Sequence, residues 1–178
     1  MTTFLIAAIT ADGFIAKNPG HVSRDWTSKE DKKFLIESTK RAGVVVMGLN
    51  TYRTMRRPFP DRLNIVYSDT KENLAPDPTD EWASKGGPVE ATQAEPADLL
   101  KDLESRGYEE LVIVGGATIY TMFMEAGLID KLYLTIEPII FGSGMHLFNK
   151  DLEINLKLNS IQKLGEQTIL LEYSVVRL

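Results

Sequence analysis

Cysteine is absent from all 178 residues, which excludes disulfides, zinc-thiolate centres, cysteine nucleophiles and the zinc deaminase signature. Histidine is almost as scarce. His21 and His146 stand far apart in sequence, so no histidine-rich metal site is expected. No run approaches the roughly eighteen consecutive apolar residues of a membrane helix, and Met1-Thr2-Thr3-Phe4-Leu5-Ile6 has no basic leader. A cytoplasmic protein is expected. Basic charge is not in excess: 20 Lys and Arg against 25 Asp and Glu give a net charge of −5, with no electrostatic footprint for nucleic acid or an anionic membrane. The expected partners are small molecules. There is no internal repeat and no linker long enough to divide the chain. Its 43% hydrophobic and 25% charged residues fit one globular domain over 1–178.

What is present centres on Leu111-Val112-Ile113-Val114-Gly115-Gly116-Ala117-Thr118-Ile119-Tyr120. The β-branched apolar run reads as a strand buried on both faces, as in the middle of a mostly parallel sheet. Two glycines end it. From Ala117 onward, Ile119, Met122, Phe123 and Ala126 recur at helical spacing. A strand, a glycine turn and a helix start can present bare backbone N–H groups to a phosphate, or the glycines can be turn punctuation alone.

Phe4 to Ile9 predicts a central strand, turned out by Ala11-Asp12-Gly13 into an irregular stretch from Phe14 to Arg24. That stretch would lie at the carboxyl end of the first strand, where open α/β sheets bind ligands. Thr27 or Ser28 can cap a helix reaching about Arg41, with Glu30 or Asp31 in its first turn. Gly43 to Met47 predicts a second strand, Asn50 to Met55 a short helix and Arg62 to Tyr67 a third strand. Ser68 to Pro88 reads as surface loop. Val89 to Thr92, a helix from Pro96 to Arg106, the central motif and a strand from Asp130 to Ile136 follow. Ile154 to Lys163 and Thr168 to Arg177 make a closing hairpin. The fold class is α/β: about eight strands in a mixed, mostly parallel sheet, helices on both faces and an antiparallel C-terminal end.

Four blocks resemble the dihydrofolate reductase fold, shared with the C-terminal reductase domain of riboflavin biosynthesis. They are Val46-Met47-Gly48-Leu49-Asn50-Thr51-Tyr52, Arg57-Pro58-Phe59-Pro60-Asp61-Arg62, Ile113-Val114-Gly115-Gly116-Ala117-Thr118-Ile119-Tyr120 and Asp130-Lys131-Leu132-Tyr133-Leu134-Thr135. They occur in family order over nearly the whole chain. The resemblance implies a nicotinamide cofactor, NADPH by family habit with NADH also open. Its diphosphate would be held between Gly48, Leu49, Asn50 and Thr51 on one side and Gly115, Gly116, Ala117, Thr118, Ile119 and Tyr120 on the other. Ala8, Ile15, Ser68 and Val114 complete the cofactor set the family implies. It also implies a cis peptide between the two glycines and a Tyr120 hydroxyl near the nicotinamide. Leu49 replaces a family cation that contacts cofactor phosphate. Ser68 and Thr70 stand where the adenosine ribose phosphate is read, beside an Asp69 that would repel it.

On the substrate side, the resemblance implies Trp26, Asp31, Phe34, Arg62 and Thr135, with Asp31 catalytic. A carboxyl group in an apolar pocket can anchor a 2-amino-4-oxo ring and, with a raised pKa, assist proton delivery. Judged on its residues alone, Asp31 could equally be a solvated first-turn acid. Arg62 matches a family arginine that clamps the folate glutamate; a phosphoribosyl substrate would also need a cation, and a surface arginine is the third reading. His21 and His146 read first as solvated loop groups, with contact to substrate the lesser alternative, whereas Trp82 and Tyr108 read as packing residues.

Two blocks resemble the riboflavin enzymes more than the folate enzymes: Thr10-Ala11-Asp12-Gly13-Phe14-Ile15-Ala16, and Pro138-Ile139-Ile140-Phe141-Gly142-Ser143-Gly144-Met145-His146-Leu147-Phe148. The resemblance therefore implies an NAD(P)H-dependent reductase of the 5-amino-6-(5-phosphoribosylamino)uracil type, with dihydrofolate or another pterin as the alternative substrate. A non-catalytic nucleotide-binding module, motivated by Leu49, is the alternative from another class. No deaminase domain is expected in the chain. A homodimer is expected if it follows the riboflavin type.

Overall fold

A computed structural model describes residues 1–55, 57–69, 74 and 85–177. The sequence readings at Thr70 and Trp82 lie outside the described residues. The eight-stranded sheet is built from β1 (Thr2–Thr10), β3 (Val44–Gly48), β4 (Leu63–Tyr67), β5 (Val89–Thr92), β6 (Glu110–Ile113), β7 (Lys131–Glu137), β9 (Leu156–Lys163) and β10 (Ile169–Val175). Its order is β5-β4-β3-β6-β1-β7-β10-β9. Pairings from β5 through β7 are parallel, whereas β10 runs antiparallel to both β7 and β9.

The uniform apolar runs follow from burial on both faces. Leu5 and Ala7 point into one core with Val44, Val46, Leu103 and Phe123; Phe4 and Ile6 point into the other with Val45, Met47 and Ala42. Successive residues thus serve opposite cores, as the pleat requires. Helices α3 (Pro96–Ser105) and α4 (Ala117–Glu125) cover the first face; α1 (Lys29–Ala42) and α2 (Leu49–Thr54) cover the second. No helix among the described residues is long and apolar enough to cross a membrane.

Helix α1 begins where Ser28 Oγ accepts the N–H of Asp31 at 3.1 Å. It ends at Gly43, whose φ of 73° places the residue in the left-handed region while its N–H closes on Thr39 O. The stretch from Phe14 to Arg24 is more ordered than its composition predicts. Phe14–Ala16 is a short strand, β2, antiparallel to β8 (Met145–His146), and Ser23–Asp25 forms one 3₁₀ turn. This small ribbon lies over the carboxyl ends of the central strands.

Candidate active site

The carboxyl ends of the central strands β3, β6 and β1 open into a cleft of about 610 Å³, within the range of small-ligand sites. Its first wall is backbone. The β3–α2 and β6–α4 turns meet through Gly48 N–H to Gly115 O at 2.8 Å, and Val114 N–H donates to Val46 O at 3.0 Å. The Gly115–Gly116 peptide is cis. Their contact leaves little room for side chains at the glycines. A Cβ on Gly48 would stand 3.1 Å from Ile119 Cγ1, and one on Gly115 3.2 Å from Thr51 Oγ1 at a φ of +133°. No side chain caps the first N–H groups of α2 or α4, and the residues that carry them line the cleft, a backbone cradle suited to an anionic group.

Gly48, Leu49, Asn50, Thr51, Val114, Gly115, Gly116, Ala117, Thr118, Ile119 and Tyr120 all line the cleft, with Ala8 and Ile15. Ser68 does not; it is buried, and its N–H bonds Thr92 O at 3.2 Å. Asp69 does line the cleft, beside Tyr67. The Tyr120 hydroxyl donates to Ile6 O at 2.7 Å. Burial, and secondarily the charge of Asp31, raises its pKa above the usual tyrosine value, so it stays a neutral donor to that carbonyl.

The second wall is made of side chains, and Asp31 is its one buried acid lining the cleft. Loss of hydration raises the Asp31 pKa most; the hydroxyls of Thr135 and Thr27 and the more distant Lys32 lower it, while the Glu137 carboxylate raises it further. The net direction is upward. The Thr135 hydroxyl approaches closely enough to favour the ionised form without the geometry of a completed hydrogen bond.

The remaining substrate-side residues are placed differently from the sequence expectation. Phe34 turns from the cleft to pack on Tyr133, with ring centroids 5.6 Å apart, and its neighbour Leu35 lines the cleft instead. Arg62 is neither a surface group nor a lining residue. It is 4% exposed, with Nε donating to Pro60 O at 2.8 Å and Nη1 to Ile36 O at 3.1 Å and to the Thr39 hydroxyl. These bonds tie the entry of β4 to the last turns of α1. Trp26 does not line the cleft. It stacks beside His21 and meets Phe141 edge-on, and its Nε1–H is buried without a partner. His21 lines the cleft, whereas His146 is exposed and packs on Phe14.

Sequence reasoning passed over several lining residues, among them Asn18, Pro19, Ser23, Met145 and Asn149. Only the position of the 14–24 loop signalled the first three. It also passed over Glu137, 2% exposed and directly behind the first turn of α1. Among the described residues no cluster of three or more His, Asp or Glu could hold a metal ion.

Comparison with known proteins matches residues 2–170 to the family described as the RibD C-terminal domain. Uncharacterized protein YwjB of Bacillus subtilis is 27% identical over 180 residues, 96% of each chain. A diaminohydroxyphosphoribosylaminopyrimidine deaminase/5-amino-6-(5-phosphoribosylamino)uracil reductase from Thermotoga maritima superposes with a TM-score of 0.74 at 18% identity, over 98% of this chain and 56% of that one. Dihydrofolate reductase from Enterococcus faecalis, complexed with NADP(H), superposes with a TM-score of 0.65 at 22% identity, over 98% of this chain and 96% of that one. The structural likenesses establish a dihydrofolate reductase-like fold.

Proposed function

The chain belongs to the RibD C-terminal domain family, and on that premise we propose that it is a nicotinamide-dependent reductase acting on a pyrimidine-derived C=N centre, of the 5-amino-6-(5-phosphoribosylamino)uracil reductase type. The observation that carries this reading is the pairing of walls: a cradle of glycine backbone at Gly48, Gly115 and Gly116 faces the buried carboxyl group of Asp31 across one cleft.

Gly48 to Thr51 and Gly115 to Tyr120 would hold the cofactor diphosphate, because their tight contact leaves backbone donors as the surface presented. A bound dihydronicotinamide supplies the hydride. NADPH is the proposed cofactor; Asp69 on the cleft makes NADH the necessary comparison. Asp31 would accept hydrogen bonds from the substrate ring and, held protonated to higher pH than a solvated aspartate, deliver a proton to the reduced nitrogen. Tyr120 braces the cradle through Ile6. The ribbon of β2 and β8 shields the reacting centre from water through Ile15, Ala16 and Met145.

A second reading, reduction of dihydrofolate or another pterin, is favoured by the Thr135 hydroxyl against Asp31, an arrangement suited to a ring carrying adjacent amino and imino groups. Parallel measurement of NADPH and NADH oxidation with the ribosylaminopyrimidine and with dihydrofolate separates the two. We expect turnover of the ribosylaminopyrimidine, reduced on the order of 10²-fold or more in Asp31→Asn. Full activity in Asp31→Asn at neutral pH would remove Asp31 from the mechanism. Cofactor binding with no turnover of either substrate would leave a nucleotide-binding module.

A further inference from the structure

Asp31 is not placed by the cleft walls alone. Behind it, the last residue of β7, Glu137, is 2% exposed and fully engaged. Its Oε1 accepts from both the N–H and the hydroxyl of Ser28, each at 2.8 Å, and its Oε2 accepts from the Thr168 hydroxyl at 3.2 Å. Ser28 Oγ in turn accepts the Asp31 N–H. A serine hydroxyl has one proton. Because that proton is committed to Glu137, a lone pair of Ser28 is left pointing at the helix, which is what an N-cap requires. Strand geometry adds a second link, since Thr135 and Glu137 project from the same face of β7 and meet the start of α1 together.

We infer that Glu137 is a positioning residue for Asp31, acting through Ser28 to fix where that carboxyl group stands in the cleft. The inference rests on the reading of Asp31 as the substrate-side acid. Glu137 also acts through charge. The groups facing Asp31 are Glu137 from β7, Tyr120 from α4 and Lys32 on its own helix. Of these, only Glu137 disfavours ionisation of Asp31. Its presence keeps the Asp31 proton in place to higher pH.

Three variants divide position from charge. Glu137→Gln retains an acceptor for Ser28 but removes the charge, Glu137→Ala removes both, and Ser28→Ala cuts the relay while leaving Glu137 intact. Two readouts are taken: the ¹³C titration of the Asp31 carboxyl group, assigned by its loss in Asp31→Asn, and the pH profile of kcat and KM. In Glu137→Gln the Asp31 titration should move to lower pH, and kcat at low pH should stay near wild type while its alkaline fall begins earlier. Glu137→Ala and Ser28→Ala should lower kcat by about 10²-fold at every pH, with KM changed far less. If Glu137→Ala fails to fold, Glu137→Gln and Ser28→Ala decide. An Asp31 titration unmoved in Glu137→Gln, with kcat unchanged in Ser28→Ala, overturns the inference. A shifted titration without turnover of either substrate upholds the coupling and refutes the substrate reading instead.

Discussion

Replacing Asp31 with Asn should stabilise the fold, and by an amount that depends on pH. Asp31 is 5% exposed, and of the five influences on its ionisation the attraction of Lys32 is the weakest. Its folded pKa is therefore raised above the ordinary carboxylate value of 3.8. Below that value both folded and unfolded chains carry the proton, and burial of the group costs nothing extra. As pH rises from 3.8 toward the folded pKa, the unfolded chain releases its proton and the folded chain does not. Stability is then lost by up to about 1.36 kcal/mol per pH unit, until Asp31 ionises in the folded state too and the curve flattens. Asparagine does not titrate. The gain of Asp31→Asn over wild type should therefore grow from pH 4 upward and reach a plateau, each kcal/mol appearing as roughly 2–4 °C in Tm. Any change in hydrogen bonding to Thr27 or Thr135 adds a constant offset, so the pH-dependent part isolates the charge. Urea unfolding followed by circular dichroism at half-unit steps from pH 4 to 8 measures it. A stability difference between the two proteins that stays flat across that range would falsify the account of Asp31 as a buried, poorly compensated acid.

Two further changes separate the cradle from the scaffold. Gly115→Ala forces a Cβ to 3.2 Å from Thr51 Oγ1 at a φ of +133°, so it should cost roughly 1–3 kcal/mol and weaken NADPH binding measured by calorimetry; unchanged affinity would mean that the cofactor does not rest on this turn. Arg62→Met leaves Pro60 O without its partner and removes the guanidinium bonds to Ile36 O and the Thr39 hydroxyl, which keep their contacts within α1, so the midpoint of urea unfolding should report a loss of roughly 1–3 kcal/mol. Substrate KM should stay near wild type in the folded fraction. A large rise in KM with stability intact would restore Arg62 to the substrate side.

Those substitutions also mark where the sequence was legible. The strands over Phe4 to Ile9 and Gly43 to Met47 could be read because continuous apolar runs demand cover on both faces, and the two cores supply it. The glycine turns could be read because a strand–glycine–helix junction is a local pattern. Phe34 illustrates the limit. One residue along a helix rotates the side chain by about 100°, so Phe34 packs on Tyr133 while its neighbour Leu35 lines the cleft, a distinction that spacing alone does not show. Arg62 resembled a ligand clamp because nothing near it in sequence shows that two of its three acceptors come from the end of α1, 23 to 26 residues earlier. Strands of two and three residues, β8 and β2, are too short for any period to show.

Glu137 lay furthest from sequence reading, since its tie to Ser28 spans 109 residues. Yet its placement explains a division of labour between the walls. On the proposed reading the cofactor side turns on Gly48, Gly115 and Gly116, where an added Cβ crowds Thr51 or Ile119. It therefore tolerates little variation. On the proposed reading the substrate side is assembled from α1, the 14–24 loop and the β2/β8 ribbon, all of which lie outside the eight-stranded sheet. If the proposed function holds, a fixed cradle facing a replaceable wall would let one fold present the same cofactor to different heterocycles. On that proposal, substrate identity would be set by the groups that converge on Asp31, and Glu137 is the residue among them inferred to hold position and charge at once.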